Sequence, residues 1–352
     1  MAQGLREALA TCGHFPSAAA WEDEAPEFEA RVRRALAPSS AAAVALERNG
    51  WCEVDGLLGP RMAGALVAEV AWLGSKGLVI PNRSYFGGTL VTKPGVAEMD
   101  LDVAPVRERV PACGALRLMH APALAAALAD ACPFLGLDAA RDDAVTVKVQ
   151  VNDGRGGCFP HHFDNAGPPS RRALTCLCYL NAGWSDGDGG ELELLPFLAP
   201  GGMPIRVAPT LDHWCMFRSD RVLHRTLPAH KPRLCFTVWI DGVATNAEED
   251  LVLRAPPLGA DQAAVETAAR QLALGGPLQR AISRALYADA YEQSLREGLA
   301  GGDPAVLEAC LVTHAKSVAD LLRVDGIHEL LDALRALALP PPPPPEESAC
   351  SR

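Results

Sequence analysis

Residues 144–242 consist of short segments with strand character separated by turn-forming residues, and this feature constrains the fold more than any other. Six segments show the alternating or β-branched apolar residues of strands. They are residues 145–151, 173–180, 191–195, 214–217, 222–227 and 233–240. Runs rich in Gly, Asn and Asp lie between them and favour turns. Many short strands at this spacing are typical of a β-barrel or β-sandwich.

The sequence before the strands is mainly helical in pattern. Residues 1–39 are acidic and rich in alanine, which predicts a leader with one or two loosely attached helices. Residues 40–143 contain helical patterns that we expect to support the barrel from outside. Residues 78–112 contain glycine and proline throughout and predict a long loop, of the kind that often covers a site.

After Gly242 the strand pattern ends and helical patterns take over. Six consecutive prolines, Pro340 to Pro345, form polyproline II and act as a stiff spacer near the end of the chain. The predicted organisation has four parts. These are a leader at 1–39, a main domain at 40–242 (helical support 40–143, strand core 144–242), a helical appendage at 243–339 and a polyproline tail at 340–352.

Composition narrows the partners and the compartment. The chain has 32 Lys and Arg against 43 Asp and Glu, a net charge of −11, so no nucleic acid partner is expected. Its 11 cysteines include no CxxC pair and the start of the chain lacks the pattern of a secretory leader, which argues against disulfides. No apolar run is long enough to span a membrane. These features predict a cytoplasmic or nuclear protein, and the alanine-rich start leaves an organellar transit peptide open.

Two histidines and an aspartate carry the chemical signal. In a strand, side chains two positions apart share a face, so His162 and Asp164 point the same way and His161 points the other way. His224 lies in a later predicted strand. Two histidines and one carboxylate on adjoining strands are typical of the facial triad of non-haem Fe(II) oxygenases, although similar sets also bind catalytic zinc.

Arg233 distinguishes between these two kinds of metal site. It lies nine residues after His224 and begins a strand on which Cys235, Thr237 and Trp239 share its face. An arginine on this face requires a partner inside a barrel, and a bound carboxylate supplies one through paired hydrogen bonds. Zinc hydrolases have no need of such a residue, so the arginine favours an Fe(II) oxygenase.

Taken together, these residues resemble the Fe(II)/2-oxoglutarate-dependent dioxygenases of the prolyl 4-hydroxylase family. The resemblance covers residues 40–242 and is carried by several motifs. Besides the triad and Arg233 they are Asn165, Cys176-Leu-Cys-Tyr-Leu-Asn181, Gly189-Gly-Glu-Leu192, Phe217-Arg-Ser-Asp-Arg221 and Thr237-Val-Trp239. Asn49-Gly-Trp-Cys-Glu-Val-Asp-Gly-Leu57 is similar to the opening strand of the cytosolic, hypoxia-sensing-type prolyl hydroxylases, which also have arginine where collagen-type enzymes usually have lysine.

The resemblance implies a fold and a set of roles. The fold is mainly β with flanking helices (α+β): a double-stranded β-helix, or jelly roll, here followed by the C-terminal helical appendage. The implied Fe(II) ligands are His162, Asp164 and His224. Arg233 would bind the 5-carboxylate of 2-oxoglutarate, Tyr179 matches a family tyrosine that binds the same carboxylate, and Thr237 would add a hydroxyl. O2 is the second substrate, L-ascorbate keeps the iron reduced, and succinate and CO2 are released.

Some of these residues have simpler interpretations. Tyr179 could be a packed core aromatic and Thr237 an ordinary β-branched strand residue. His161, His213 and His230 are expected to be exposed or to lie behind the ligands. One departure from the family is the missing tyrosine before the glycine-rich turn, where Val151 is the residue expected in its place. This substitution predicts altered cosubstrate binding.

Three functional hypotheses follow. The first is hydroxylation of prolyl residues in an intracellular protein, with an extended peptide as substrate. The second keeps the oxygenase chemistry and changes the substrate to a small molecule or another side chain, because substrate choice depends on loops. The third is a catalytically weak, iron-binding module for oxygen sensing or interaction. In each case Pro340 to Pro345 could dock on a proline-reading domain or be hydroxylated by the site itself.

Overall fold

A computed structural model describes most of the chain. The described residues are 21, 23–86, 89–101, 114–141, 143–165, 167, 169–196, 204–243, 259–272 and 277–338. The polyproline tail, residues 1–20 and 22 of the predicted leader, and residues 87–88 and 102–112 of the predicted loop lie outside this set.

The described residues form helices on both sides of a β-rich centre. The helices before the strands of the barrel are α1 (Ala25–Ala35), α2 (Ala41–Asn49), α3 (Gly59–Ser75), α4 (Gly114–Met119) and α5 (Pro122–Ala131). Those after it are α6 (Gln262–Leu272), α7 (Pro277–Leu286), α8 (Ala288–Gly298), α9 (Pro304–Leu322) and α10 (Ile327–Ala338). Among the helices described, none is long and apolar enough to cross a membrane.

The strands form two antiparallel sheets. In chain order they are β1 (Trp51–Asp55), β2 (Ile80–Phe86), β3 (Thr89–Asp100), β4 (Val145–Asp153), β5 (Phe159–His162), β6 (Arg172–Tyr179), β7 (Leu192–Pro196), β8 (Ile205–Val207), β9 (His213–Arg218), β10 (Val222–Thr226) and β11 (Pro232–Asp241). The larger sheet has the order β1-β9-β6-β11-β4-β3-β2, and the smaller has the order β5-β10-β7-β8. The predicted jelly-roll core with flanking helices is confirmed.

The alternation of the central strands divides the core into two layers. Phe236 and Val238 of β11 pack with the helices α1–α5, together with Val147 of β4. The opposite face of the same sheet carries Tyr179 and Cys235, which pack against apolar residues of the smaller sheet. Because successive strand residues point to opposite faces, the polar residues of the inner face are held between the two sheets.

The prediction of a loop at 78–112 is wrong for its first part. β2 and β3 form a hairpin, and β3 pairs with β4 from Val96↔Asn152 to Asp100↔Lys148, so the larger sheet gains two strands. The proline and glycine that suggested a loop lie at the irregularity of this hairpin. Gly95 has a φ of +70°, a conformation that glycine adopts at no steric cost.

The leader also differs from its prediction where it is described. Trp21 and Phe28 are each 1% exposed and belong to the main core. The guanidinium of Arg31 donates to the carbonyls of Leu57 and Leu58. This segment is therefore packed rather than loosely attached, since a few apolar residues at helical spacing suffice to bury one face.

The C-terminal helices have a core of their own. Residues 277–298 form two helices, α7 and α8, with a break at Tyr287. Apolar residues of α6, α7 and α10 form a separate cluster that includes Ile282, Leu330 and Leu334. Helix α8 leaves this cluster and packs on strand β5.

Candidate metal and cosubstrate site

His162, Asp164 and His224 meet in the space between the two sheets. His162 ends β5 and His224 is its register partner on β10. The Nε2 atoms of the two histidines lie 3.5 Å and 3.7 Å from Asp164 Oδ1, and the ring centroids are 4.3 Å apart. The potential ligand atoms all lie within 4.8 Å of one another. The structure thus brings together the three residues that the sequence pattern singled out.

Backbone carbonyls set the tautomer of both imidazoles. His162 Nδ1 donates to the Pro160 carbonyl at 2.8 Å, and His224 Nδ1 donates to the Val222 carbonyl at 3.1 Å. With the proton on Nδ1, each Nε2 presents a lone pair toward Asp164. Burial, with the neighbouring His162, lowers the pKa of His224 to about 4, so this imidazole is neutral at physiological pH. Neutral imidazole is the form that binds a metal ion.

Two donors that the sequence did not reveal hold the carboxylate of Asp164. Its Oδ2 accepts from the Thr175 hydroxyl at 2.7 Å and from Trp239 Nε1 at 3.0 Å. Ser219 Oγ lies 2.8 Å from the Thr175 hydroxyl and donates to it, because the threonine proton is used on Asp164. These bonds leave Oδ1 directed at the two histidines.

The charge of Asp164 is fixed by its neighbours. Burial raises the pKa of this carboxyl, but the nearby His224 and His162 and the Trp239 hydrogen bond outweigh burial and hold the pKa well below its usual range. The set therefore offers two imidazole nitrogens and one anionic carboxylate oxygen on one side of a possible ion. This donor set fits a divalent transition metal in facial-triad geometry with open positions.

The open side of the triad faces a cavity of about 250 Å³. Thr237 lies on its wall, as the shared face with Arg233 predicted, together with Leu177 and Phe217. Lys93 of β3 also lines the cavity, and burial lowers its pKa to about 7. Sequence analysis missed this lysine because residues 78–112 were predicted as a loop.

Arg233 of β11 and Tyr179 of β6 lie on the inner face of the larger sheet. They are 3% and 0% exposed. Arg233 Nε donates to the Gly190 carbonyl at 2.7 Å and Nη1 donates to Cys235 Sγ at 3.1 Å. Within the described residues, Arg233 Nη2 and the Tyr179 hydroxyl are buried without a hydrogen-bond partner. Buried donors are rarely left unpaired, so this pair fits the carboxylate of a bound ligand.

Gly190 shapes the approach to this arginine. Its φ is +78°, and a Cβ there would lie 2.7 Å from Arg233 Cδ. A glycine is thus required both by the backbone and by the packing of the guanidinium.

Val151 does not take the place expected for the missing family tyrosine. Its side chain packs with the helix-side core, on the face opposite the triad. The residues of β4 that line the cavity are Lys148 and Gln150, and Gln150 Oε1 accepts from Cys235 Sγ at 3.6 Å. A one-residue error in a strand moves a side chain to the other face, which explains the wrong assignment.

Comparison with known proteins agrees with this geometry. Residues 147–241 match the model of the 2OG-Fe(II) oxygenase superfamily. A solved structure of a prolyl 4-hydroxylase from Phytophthora capsici is 32% identical, with a TM-score of 0.70, and the alignment covers 88% of this chain and 95% of that one. The aligned 88% of this chain is longer than residues 40–242. The similarity therefore extends beyond the part of the chain that the sequence motifs cover.

Two other solved prolyl hydroxylases match with lower scores. One, from Pseudomonas putida, is 24% identical with a TM-score of 0.45, covering 58% of this chain and 98% of that one. The other, from Trichoplax adhaerens in complex with a hypoxia inducible factor peptide, is 21% identical with a TM-score of 0.46, covering 63% and 92%. No curated protein matches the chain.

The jelly roll, the metal-binding cluster and the full-length similarity define a class. The chain belongs to the 2OG-Fe(II) oxygenase superfamily. It is a 2-oxoglutarate-dependent dioxygenase of a superfamily that uses Fe(II), 2-oxoglutarate and O2, and the structure that it resembles over most of its length is a prolyl 4-hydroxylase.

Proposed function

We propose that this dioxygenase hydroxylates prolyl residues of a protein or peptide substrate inside the cell, with release of succinate and CO2. The observation that carries the proposal is the similarity to the Phytophthora prolyl 4-hydroxylase, which spans nearly the whole of both chains. Substrate choice depends on the surroundings of the site as well as on the triad, so similarity over the whole chain is stronger support than the triad alone.

The proposal assigns a role to each polar residue of the site. His162, Asp164 and His224 hold Fe(II) through Nε2, Oδ1 and Nε2. Bound Fe(II) and 2-oxoglutarate supply the oxygen-activating chemistry. Arg233 and Tyr179 bind the 5-carboxylate of 2-oxoglutarate with the two donors that have no partner among the described residues. Thr237 lies on the cavity wall between these two ends of the site.

The rest of the site orients these groups and excludes water. Thr175 and Trp239 keep Asp164 Oδ2 occupied, so that Oδ1 alone is free to bind. Phe217 packs against His224 with ring centroids 4.6 Å apart and limits its rotation. A dry, preorganised pocket of this kind is what the chemistry of a bound cofactor requires from a protein.

The proposal includes L-ascorbate as the reductant of the iron and a cytoplasmic or nuclear location. It also keeps the division of the chain into a leader, a dioxygenase domain at 40–242, a helical appendage and a tail. The polyproline tail is a candidate partner of a proline-reading domain.

Mass spectrometry of proline-containing peptides tests the substrate. Purified protein is incubated with Fe(II), 2-oxoglutarate, ascorbate and a peptide library, and a mass gain of one oxygen is located by fragmentation. We expect the gain on proline, in equal amount to the succinate formed, and its loss in Asp164→Ala. Succinate formed with small molecules but with none of the peptides would favour the small-molecule oxygenase.

Anaerobic spectroscopy separates the enzyme from a weak binding module. We expect Fe(II) with 2-oxoglutarate to give the weak visible charge-transfer band of a metal-bound 2-oxo acid in the parent protein. Asp164→Ala should not give it. Iron binding without this band in the parent protein would favour the iron-binding module.

A further inference from the structure

The strand that carries His162 is weakly fixed by its own sheet. β5 lies at the edge of the smaller sheet. Its register with β10 consists of the pairs His224↔His162 and Thr226↔Phe159, with an irregularity between them. A short edge strand leaves a row of backbone groups without strand partners. Support for this strand must therefore come from outside the sheet.

Helix α8 supplies that support by packing on the outer side of β5. The backbone amide of His161 donates to the Ser294 hydroxyl at 3.1 Å, and His161 Nδ1 donates to the Ala290 carbonyl at 3.2 Å. The His161 ring lies 5.5 Å from the ring of Tyr291. Since His161 and His162 point to opposite sides of the strand, the helix braces the strand directly behind the candidate ligand.

The end of α8 also reaches the residue that orients His162. A Cβ on Gly298 would lie 2.7 Å from Pro160 Cγ and 2.9 Å from Pro160 Cδ, so helix and proline ring meet with no room for a larger side chain. The carbonyl of Pro160 accepts the Nδ1 hydrogen bond of His162. The helix thus contacts the group that sets the direction of this imidazole.

A buried ion-pair chain ties the same helix to the strand of the second histidine. Arg225 follows His224 on β10 and is 9% exposed. Its Nε donates to Glu193 Oε1 at 2.6 Å, and its Nη1 donates to Glu297 Oε2 at 2.9 Å. Glu193 is the register partner of Arg225 on β7. Removing one member of a buried ion pair leaves the other charge uncompensated, which is costly. These linked ion pairs therefore fix the position of α8 on β10.

We propose that α8 belongs to the metal site, with Gly298 and the Arg225–Glu297 pair as positioning residues that hold both histidines from behind. The helical appendage thereby sets the affinity of the protein for Fe(II). The inference rests on the proposed function only through the assignment of His162 and His224 as metal ligands.

Two variants of the full chain test this role, each with a matched control. Glu297→Gln breaks the ion pair at its partly exposed end, and Gly298→Ala places a methyl group against Pro160. Glu292→Gln is the control for charge, because Glu292 pairs with Arg296 of the same helix. Gly64→Ala is the control for a helical glycine, because a Cβ there meets nothing within 4 Å.

Fe(II) binding and strand protection are the readouts. Fe(II) affinity is measured anaerobically by competition with a chromogenic chelator, and amide hydrogen exchange of Phe159, His161 and His162 is measured without metal. We expect both test variants to bind Fe(II) roughly tenfold more weakly, at the low end of the effects of residues behind metal ligands. Exchange in β5 should be faster, whereas the KM for 2-oxoglutarate should stay unchanged because Arg233 and Tyr179 are not touched.

The outcomes separate this inference from the proposed function. Parent-like Fe(II) affinity and exchange in both test variants would overturn the positioning role. Absence of Fe(II) binding in the parent protein would instead overturn the assignment of the triad. If Gly298→Ala fails to fold, Glu297→Gln decides, since the side chain of Glu297 is 29% exposed and its replacement removes no packing.

Discussion

At the scale of single residues, the site works because each ligand is held from its far side. The imidazoles are fixed by carbonyls of their own strands, and Asp164 is fixed by Thr175 and Trp239. Preorganisation of this kind removes the rotational freedom that a metal ion would otherwise have to restrict. The hydroxyl and indole behind Asp164 thus contribute to metal affinity without touching the ion.

Thr175→Val tests the hydroxyl behind Asp164. The substitution keeps the shape and β-branching of the side chain but leaves Asp164 Oδ2 with one donor fewer. We expect Fe(II) affinity to fall about tenfold while the fold is retained, as measured by anaerobic titration and circular dichroism. Thr313→Val, on an exposed helix surface, is the control. An unchanged affinity would show that Trp239 alone suffices.

Tyr179→Phe distinguishes a cosubstrate-binding tyrosine from a core aromatic. The hydroxyl is buried without a partner among the described residues, so its removal should leave stability equal or slightly higher. The KM for 2-oxoglutarate should rise about tenfold, as expected for the loss of a hydrogen bond to a charged group. Chemical unfolding and steady-state kinetics measure the two effects. An unchanged KM would identify Tyr179 as a packing residue, since phenylalanine keeps the packing of the ring.

Sequence reasoning was strongest for residues whose role follows from strand alternation. Alternation puts His162 and Asp164 on the same face of one strand, and Arg233 and Thr237 on the same face of another. The structure has these side chains where alternation places them. Thr175 and Ser219 could not be predicted in this way, because they reach Asp164 through strand pairings that only the folded sheet defines. The misplacement of Val151 has the same origin, since a shift of one residue exchanges the two faces.

At the scale of elements, the sheet is extended by strands that the sequence pattern concealed. The hairpin of β2 and β3 brings Lys93 to the cavity and lengthens the wall beside the triad. Proline and glycine at its irregularity resembled loop residues, although strands tolerate them where the pairing is irregular. At Tyr287 the backbone leaves the helical conformation, with φ of −115° and ψ of 35°, and this residue separates α7 from α8.

The pairing of β1 with β9 should depend on pH. His213 lies between Glu53 and Asp55, with its ring nitrogens 2.8 Å and 2.6 Å from their carboxylates, and the hydrogen bond to Glu53 is the main cause of a pKa raised above 6.5. A raised pKa contributes stability that is fully present below pH 6.5 and is lost as pH rises through the folded-state value. The contribution should stay below about 1 kcal/mol, since Asp55 is exposed to solvent.

Unfolding of the parent protein and His213→Gln at several pH values checks this expectation. The difference in stability between the two proteins should be largest below pH 6.5 and should shrink toward alkaline pH. A difference that is constant with pH would mean that the ring acts by packing alone, for example through its stacking on Tyr179 at 6.3 Å.

At the scale of the whole molecule, three hydrophobic layers meet around one site. The helices α1–α5 cover one face of the larger sheet, the smaller sheet covers the other, and α8 covers the smaller sheet at β5 and β10. The described part of the leader belongs to the first layer, with Trp21 and Phe28 buried. The sequence predicted this order of layers for the barrel, whereas the attachment of the C-terminal helices depends on tertiary contacts that carry no periodic signal.

Loading of the site should stabilise the whole chain. A ligand that binds the native state alone adds about 2.7 kcal/mol at a hundredfold excess over its Kd. We therefore expect anaerobic Fe(II) with 2-oxoglutarate to raise the midpoint of thermal unfolding. Asp164→Ala should lose the contribution of the metal and Arg233→Gln that of 2-oxoglutarate. A midpoint that does not move in the parent protein would contradict binding to the native state.

The two unpaired donors of Arg233 and Tyr179 have a consequence for how the protein is handled. Any small anion that reaches them can satisfy them, because they recognise negative charge and not the rest of the ligand. Buffers that contain short carboxylates or sulfate should therefore compete with 2-oxoglutarate and lower its measured affinity. The anion of the purification buffer should therefore be controlled as carefully as the supply of iron.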